Sequence, residues 1–395
     1  MERITLKSGK ERSLINRHPW VFSGAIQDAP KNLAAGDLVS VYGSKGQFLG
    51  NGYYNSESQI SVRIYSWHKK EVLNKDFLSW KIRESIQRRE HIDRSSTNCI
   101  RLVAHDADFL PGLVIDQYGD WVSFQILSAG MERHRKDIIQ TIKELIDPAG
   151  LVERSDEAIR KKEGMEPRKE VIFGDLPKGG IPVLENNMKL LVDVWEGHKT
   201  GFYIDQRDAR ATIKEYSKGK RVLNCFCYTG GFTIAAGIGG ASEITSVDES
   251  LPALELAEKN YHLNELPGDP EFIQGDVFKY LRSLKDEGRT FDFIILDPPK
   301  FASSKKNVNG ACRGYKDLNL IAWQLLAPGG YLATFSCSGL ISRDLFQKVV
   351  FGSAIDAKCD AQIIKTLSQS EDHPTRISFP ESLYLKGFLL RKIQG

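Results

Sequence analysis

Val222-Leu223-Asn224-Cys225-Phe226-Cys227-Tyr228-Thr229-Gly230-Gly231-Phe232 is the stretch on which the fold turns. A short apolar run enters a turn holding two glycines, and the residues after Gly231 open a helix. Glycine at such a turn lets a ligand approach the backbone closely. The turn lacks the GxGxxG spacing that cradles a dinucleotide pyrophosphate, which disfavours a nicotinamide dehydrogenase and favours a cofactor without phosphate.

Outward from this turn, strand and helix alternate. Strands are expected at Arg221–Asn224, Ile244–Asp248, Phe291–Asp297 and Gly330–Cys337, with helices after Gly231, over Leu251–Leu263, near Asp317–Leu326 and after Ser342. That alternation predicts an α/β, Rossmann-like domain with a parallel sheet wound on both faces, binding ligands at the carboxyl ends of its strands. Asp248 ends one strand, where a carboxylate accepts hydrogen bonds from both hydroxyls of a ribose. Asp276, after Gly275, follows the third strand, where it can read an adenine amino group. Any one of these is equally an ordinary turn with a capping Asp. Three in register, with Asn224, Tyr228, Thr229 and Gly230 in the first turn, favour S-adenosylmethionine.

A second motif, Phe291-Asp292-Phe293-Ile294-Ile295-Leu296-Asp297-Pro298-Pro299-Lys300-Phe301, ends an apolar strand in a carboxylate followed by two prolines. The prolines stiffen the backbone and remove amide donors. A charge after a buried strand is costly without a task, so Asp297 and Pro298 are expected beside the cofactor. The third motif, Leu332-Ala333-Thr334-Phe335-Ser336-Cys337-Ser338-Gly339, ends the next strand in a thiol. A buried cysteine usually acts as a small hydrophobe, but this one shares an edge with Asp297. The pair suits a pyrimidine C5, too poor a nucleophile to take a methyl group unaided. Thiolate addition at C6 activates it, Asp297 hydrogen-bonds N3 as charge develops there, and C5 then attacks the sulfonium methyl. Loss of the C5 proton and elimination of the thiol complete that scheme.

The remaining sequence sets the frame. A length of 395 residues implies two or three domains. With 41% hydrophobic and 27% charged residues, the chain has ample material for packed cores. Six cysteines, at 99, 225, 227, 312, 337 and 359, show no disulfide framework and no paired CxxC spacing, and the eight histidines form no ligand cluster with them, so no metal is expected. Neither a signal peptide nor a run of about 18 apolar residues is present, so a cytoplasmic protein with no membrane partner is expected. Net charge is only +3, yet residues 1–70 hold ten Lys and Arg against five Asp and Glu, a modest basic excess that suits a phosphate backbone or an ordinary solvated surface.

Residues 1–70 read as a small β-barrel, with strands at Asp37–Tyr42, Gln47–Tyr54 and Ile60–Trp67 separated by glycine-rich turns. Residues 71–196 read as a middle α+β domain. It comprises a helix over Leu73–Ile92, a hairpin of Leu113–Asp116 with Trp121–Gln125, a helix over Met131–Ile146, and strands at Val171–Phe173 and Lys189–Trp195. Residues 197–395 form the Rossmann-like domain.

Taken together, the residues resemble the bacterial large-subunit ribosomal RNA 5-methylcytosine methyltransferases that carry an N-terminal PUA domain. The resemblance spans essentially the whole chain. It rests on His18-Pro19-Trp20-Val21-Phe22-Ser23-Gly24, on Leu110-Pro111-Gly112-Leu113 with Tyr118-Gly119, on Thr200-Gly201-Phe202-Tyr203-Ile204-Asp205-Gln206-Arg207, and on the three motifs above. It implies a PUA fold for residues 1–70, a class I methyltransferase domain at the C-terminus, and a cytosine C5 of 23S ribosomal RNA as target. It implies that Phe202, Asp205, Gln206 and Arg207 help cover the cofactor, that Cys337 is the nucleophile, and that Asp297 reads the base. Many RNA 5-methylcytosine enzymes carry a second cysteine directly after the Asp-x-Pro turn. Lys300 stands after that turn here, which leaves the enzyme-releasing step without an assigned base; Cys312, expected in a downstream loop, is one candidate for approaching the site. Lys300 is instead a candidate phosphate contact. Arg17, His18 and Trp20 are candidates for the RNA-docking surface, although Trp20 and Phe22 equally suit barrel core.

Two rival readings remain. Methylation of an exocyclic amino group would leave Cys337 structural, and a non-catalytic RNA-binding protein would not bind S-adenosylmethionine.

Overall fold

Residues 1–302 and 304–394 are described by the computed structural model, in which the chain divides into two units. The first comprises Met1–Leu184, Val192–Ile204 and Glu371–Ser382; the second comprises Glu185–Leu191, Asp205–Ser370 and the residues from Leu383 onward.

In the first unit, β1 (Glu2–Leu6), α1 (Arg12–Ile15), β2 (Trp20–Phe22), β3 (Ile26–Asp28), β4 (Leu38–Tyr42), β5 (Phe48–Tyr54) and β6 (Ile60–Ser66) build a six-stranded sheet of order β2-β6-β5-β4-β1-β3. Alternating residues Ile4, Leu6, Val39, Val41, Val62 and Ile64 share one core. The three strands expected from alternation are present. β2 and β3, at three residues each, are too short to show any. Phe22 is half exposed, so it is not barrel core.

A second sheet follows, with α2 (Lys75–Gln87) packed on it: β7 (Cys99–Ala104), β8 (Leu113–Tyr118), β9 (Trp121–Ile126), β10 (Gly150–Ser155) and β11 (Arg168–Phe173), in the order β11-β10-β9-β8-β7. The hairpin β8–β9 closes at Gly119, whose φ of 58° suits glycine. The helix expected over 131–146 is two helices, α3 (Ala129–Arg133) and α4 (Arg135–Ile146), because His134 leaves helical geometry at φ −102°, ψ 13°. α5 (Glu157–Lys162) and β12 (Ile181–Glu185) follow, and β13 (Met188–Val192) lies almost wholly in the second unit.

The second unit carries α6 (Arg207–Tyr216), β14 (Arg221–Cys225), α7 (Gly231–Ile238), β15 (Glu243–Asp248), α8 (Leu251–Leu263), β16 (Glu271–Gln274), α9 (Val277–Asp286), β17 (Phe291–Leu296), α10 (Val308–Leu325), β18 (Leu326–Ser336), α11 (Arg343–Asp356), β19 (Asp360–Leu367) and β20 (Lys386–Gln394). Its seven strands run β16-β15-β14-β17-β18-β20-β19. β14 to β18 pair in parallel, as expected of a Rossmann-like sheet, and β20 adds antiparallel to β18. Two boundaries differ from expectation. α10 begins at Val308 because Ala311, Tyr315 and Leu318 already bury a helical face, and β18 begins at Leu326, which pairs with Phe291. One core joins β14 and β17 to α9, α10 and α11 through Leu223, Leu281, Ile294, Trp323 and Phe346. Each such side chain contributes about 1.5–3 kcal/mol on burial, which keeps the strand ends in place.

Candidate active site

The strand order reverses between β14 and β17, and in such sheets ligands bind outside the carboxyl ends at that point. The chain leaves β14 through a strained turn. Phe226 (φ 62°), Tyr228 (φ 50°) and Gly230 (φ 80°) all take left-handed backbone, which non-glycine residues hold only where surroundings over-determine it. Those surroundings are present. The Tyr228 N–H donates to Asp248 Oδ2 at 2.8 Å, the Cys227 N–H to the Val247 carbonyl at 3.0 Å, and the Gly230 N–H to the Cys227 carbonyl at 2.9 Å. A Cβ on Gly230 would come within 2.9 Å of the Ala257 methyl, so the position needs glycine twice over.

Asp248 holds this turn and the next one together, because its Oδ1 accepts from the Ser250 N–H at 3.0 Å. A carboxylate keeps further lone pairs for other donors. Asp276 caps α9 by accepting from the Lys279 N–H at 2.9 Å, and Gly275 beside it opens onto free space. Asn224 is fully buried; its amide donates to Thr233 Oγ1 at 3.0 Å, and Thr233 bonds Ser246 at 2.7 Å. Gln206 Nε2 donates to Asp297 Oδ2 at 3.1 Å. Tyr384 O–H donates to Asp205 Oδ2 at 2.7 Å, while Arg207 is buried with Asp208 3.8 Å away. Phe202 lies in the first unit, buried, its N–H donating to the Tyr118 hydroxyl at 3.2 Å, so the stretch Phe202–Arg207 is divided between the two units.

Among the described residues, Gln206 Oε1, Asn224 Oδ1 and Thr229 Oγ1 are buried without a hydrogen-bond partner. Each unmet polar atom costs about 1–3 kcal/mol. Oxygens on β14, its turn and the partner of Asp297 suit a ligand that brings amino and hydroxyl groups, and S-adenosylmethionine carries both. The residues fit that cofactor. No cluster of metal-binding side chains occurs among the described residues.

Leu296 pairs in parallel with Thr334, so Asp297 and Cys337 leave adjacent strands at one sheet edge. Pro298 is buried, Lys300 is exposed, and the Cys337 residue is half-buried just beyond β18. The turn at Cys337 is held from several sides. Ser336 Oγ donates to the Tyr315 hydroxyl at 3.0 Å, that hydroxyl bonds Ser338 Oγ at 3.2 Å, and Lys386 Nζ donates to the Ser338 carbonyl at 2.7 Å. Burial pushes the Tyr315 hydroxyl up, and burial draws Lys386 down to about 8. Cys312 is not in a loop: it lies within α10, packed against the core, and burial raises its thiol.

The first unit carries a separate cavity of about 860 Å³ bordered by Arg17, His18, Trp67, Phe109 and Arg376. The Arg376 guanidinium stands 4.7 Å from the Trp67 ring centre and 4.1 Å from that of Phe109, and donates to the Arg17 carbonyl at 2.9 Å. Burial lowers Arg376 to about 10. Trp20 stands nearby, its Nε1–H donating to Asp106 Oδ1 at 2.9 Å and its ring edge against Phe379 at 4.7 Å. Of the four residues expected to meet RNA, Arg17, His18 and Trp20 belong to the first unit and Lys300 to the second. Sequence reasoning missed Arg376 and Lys386, which reach their places only through the tertiary return of the C-terminal segment.

Comparison with known proteins agrees with this geometry. Residues 4–67 match the PUA-like domain family, and residues 168–357 match the S-adenosylmethionine-dependent methyltransferase family. The chain is 48% identical to ribosomal RNA large subunit methyltransferase I of Aeromonas salmonicida (strain A449) over 390 residues, covering 98% of both proteins. It is 45% identical to the protein of that name from Escherichia coli O139:H28 over 391 residues, covering 98% of this chain and 99% of the relative. A solved structure described as "a putative methyltransferase complexed with SAH" superposes with a TM-score of 0.87 at 25% identity, covering 99% of this chain and 100% of that one. No helix among the described residues is long and apolar enough to cross a membrane.

Proposed function

The chain belongs to the family of the ribosomal RNA large subunit methyltransferase I proteins, and from that premise we propose that it methylates C5 of a cytosine in 23S ribosomal RNA through a covalent adduct on Cys337. The observation that carries this reading is that Asp297 and Cys337 follow the carboxyl ends of adjacent parallel strands, at the edge that holds the strained turn after β14.

Asn224, Tyr228, Thr229, Gly230, Asp248 and Asp276, with Asp205, Gln206, Arg207, Asp297 and Pro298, would hold S-adenosylmethionine. When bound, that cofactor supplies an electrophilic methyl group on a sulfonium. The task of the chain is to make C5 nucleophilic. Cys337 adds as thiolate to C6: the S–C6 bond forms, and the C5–C6 π pair moves into the ring. Asp297, held through Oδ2 by Gln206, hydrogen-bonds N3 as charge develops there. After transfer, loss of the C5 proton returns the electron pair, the S–C6 bond breaks, and Cys337 leaves as thiolate.

C6 is out of reach inside a helix, so the target base is flipped or unpaired. Arg17, His18 and Trp20, joined by Arg376, hold flanking RNA by phosphate and shape contacts, and Lys300 meets phosphate near the reacting base. The division of labour is residues 1–70 for docking, 71–196 for framing the RNA, and 197–395 for chemistry. A ribosomal RNA substrate puts the enzyme in the cytoplasm.

A trapping assay tests the proposal. Wild type and Cys337→Ser are incubated with S-adenosylmethionine and ribosomal RNA fragments containing 5-fluorocytosine, whose fluorine blocks the final elimination. A protein–RNA band that survives denaturing electrophoresis is expected for wild type and not for the variant. If no band forms while ordinary RNA is still methylated, methylation of an exocyclic amino group replaces this reading and Cys337 is structural.

A further inference from the structure

We propose that Lys386 is the counter-cation that holds the Cys337 sulfur as a thiolate, a positioning residue for the nucleophile. Lys386 is the first residue of β20 and faces Ser336 across the antiparallel β18–β20 ladder. Its side chain is 3% exposed, and Nζ reaches past Ser336 to donate to the Ser338 carbonyl at 2.7 Å. The ammonium therefore bonds the backbone directly beyond Cys337, from the strand directly opposite it.

A buried ammonium is costly unless an anion or several acceptors meet it, as the Trp323 and Leu326 carbonyls meet Lys392. Among the described residues, no carboxylate lies within ion-pair distance of Lys386, and one carbonyl meets only one of its three protons. The charged groups that act on it are Cys337 after β18, Lys300 after β17 and Arg343 at the start of α11. Lys300 and Arg343 oppose the ammonium, and Cys337 alone of the three favours it. The Tyr315 hydroxyl of α10, bonded to Ser336 and Ser338, completes the polar wall. A thiolate at Cys337 supplies the missing anion. In forming it the S–H bond breaks, its electron pair stays on sulfur, and the proton passes to water while Lys386 keeps its own three. A cation beside a cysteine is a general way to hold the reactive form ready at neutral pH.

The inference rests on Cys337 being the nucleophile, so its test reads the thiol without RNA or cofactor. The rate of Cys337 alkylation by iodoacetamide is followed against pH on the full chain, by mass spectrometry of the peptide that carries it. In wild type the midpoint should lie at least one pH unit below the ordinary thiol value of about 8.5. Lys386→Met should raise it by about one unit or more and slow alkylation at pH 7 about tenfold, since each unit is a tenfold change in thiolate. Lys386→Arg, which keeps the charge, should hold most of the shift. A merely structural lysine would lower the melting temperature of Lys386→Met and leave the midpoint where it was, which overturns the proposal. A wild-type midpoint at or above about 8.5 overturns it without any variant. A low midpoint with no trapped RNA adduct would instead sustain the ion pair and remove the covalent reading of the reaction.

Discussion

The arginine–carboxylate pairs of the first unit and the strand-end turns of the second differ in what their polar groups meet. In the pairs, Arg89 grips both oxygens of Asp108 at 2.9 and 2.7 Å, Arg101 holds Asp116 at 2.7 Å, and Arg160 meets Glu132 at 2.8 Å. These charges meet one another and nearby backbone groups, such as the Ala104 N–H on Asp108 and the Ile126 carbonyl on Arg160. At the strand ends, Asn224, Thr229 and Gln206 each leave a buried oxygen unmet among the described residues, and Lys386 stands without a carboxylate. A folded chain retains such costs where a ligand or a reaction supplies the partner. Unmet buried atoms also occur elsewhere, at Arg89 Nε, Ser123 Oγ and Thr141 Oγ1, so it is the gathering of three unmet oxygens around β14, its turn and the partner of Asp297 that marks the site.

Breaking one of these pairs should give the largest effect on stability. Arg89→Met leaves Asp108, which is 1% exposed, with only the longer Arg88 contact at 3.3 Å and the Ala104 N–H at 2.7 Å in place of its bidentate partner. Removing one partner of such a pair costs about 3–5 kcal/mol. Chemical denaturation should show that loss, while the affinity for S-adenosylmethionine of the protein that remains folded should stay within about twofold, less than the tenfold that 1.4 kcal/mol would give. A large loss of cofactor affinity in folded protein would erase the contrast between the two regions.

Asp248 sits between the two behaviours, since it both braces a turn and faces the expected ribose. Asp248→Asn keeps one acceptor oxygen and turns the other into a donor that confronts either the Tyr228 or the Ser250 N–H. Loss of a charge-assisted bond costs about 1.5–3 kcal/mol, so calorimetric titration should show S-adenosylmethionine binding weakened about tenfold or more. Unchanged affinity would move Asp248 to the architectural side.

How much of this was legible depended on whether the needed neighbours were near in sequence. The turn at Tyr228–Gly231 and the Asp297-Pro298-Pro299 strand end are local, because an apolar parallel strand that stops at a carboxylate or a glycine turn shows its edge in its own residues. Cys337 could be placed beside Asp297 because neighbouring strands of a parallel sheet end on one side. Lys386 showed nothing, since its meaning comes from pairing with Ser336 across an antiparallel strand that no alternation rule foretold. Arg376 was silent for the same reason: the segment Glu371–Ser382 leaves the second unit and returns to the first. The break at His134 and the early start of α10 were set by packing, which overrides local propensity.

The smallest predicted effect sharpens the comparison most. Thr229→Val keeps the shape of the side chain and deletes Oγ1, a buried atom without a partner among the described residues. Were Thr229 part of the architecture, removing its hydroxyl would cost about 1 kcal/mol, the usual net worth of a hydrogen bond. With no partner to lose, the variant should instead melt at the wild-type temperature or slightly above, because an unmet polar atom has left the interior. S-adenosylmethionine affinity should move the other way, falling about three- to fivefold for one neutral hydrogen bond of about 0.6–1 kcal/mol. Only a group held open for a ligand gives equal or better stability together with weaker binding. A melting temperature that falls with unchanged affinity would return Thr229 to the kind of partnership seen around Arg89.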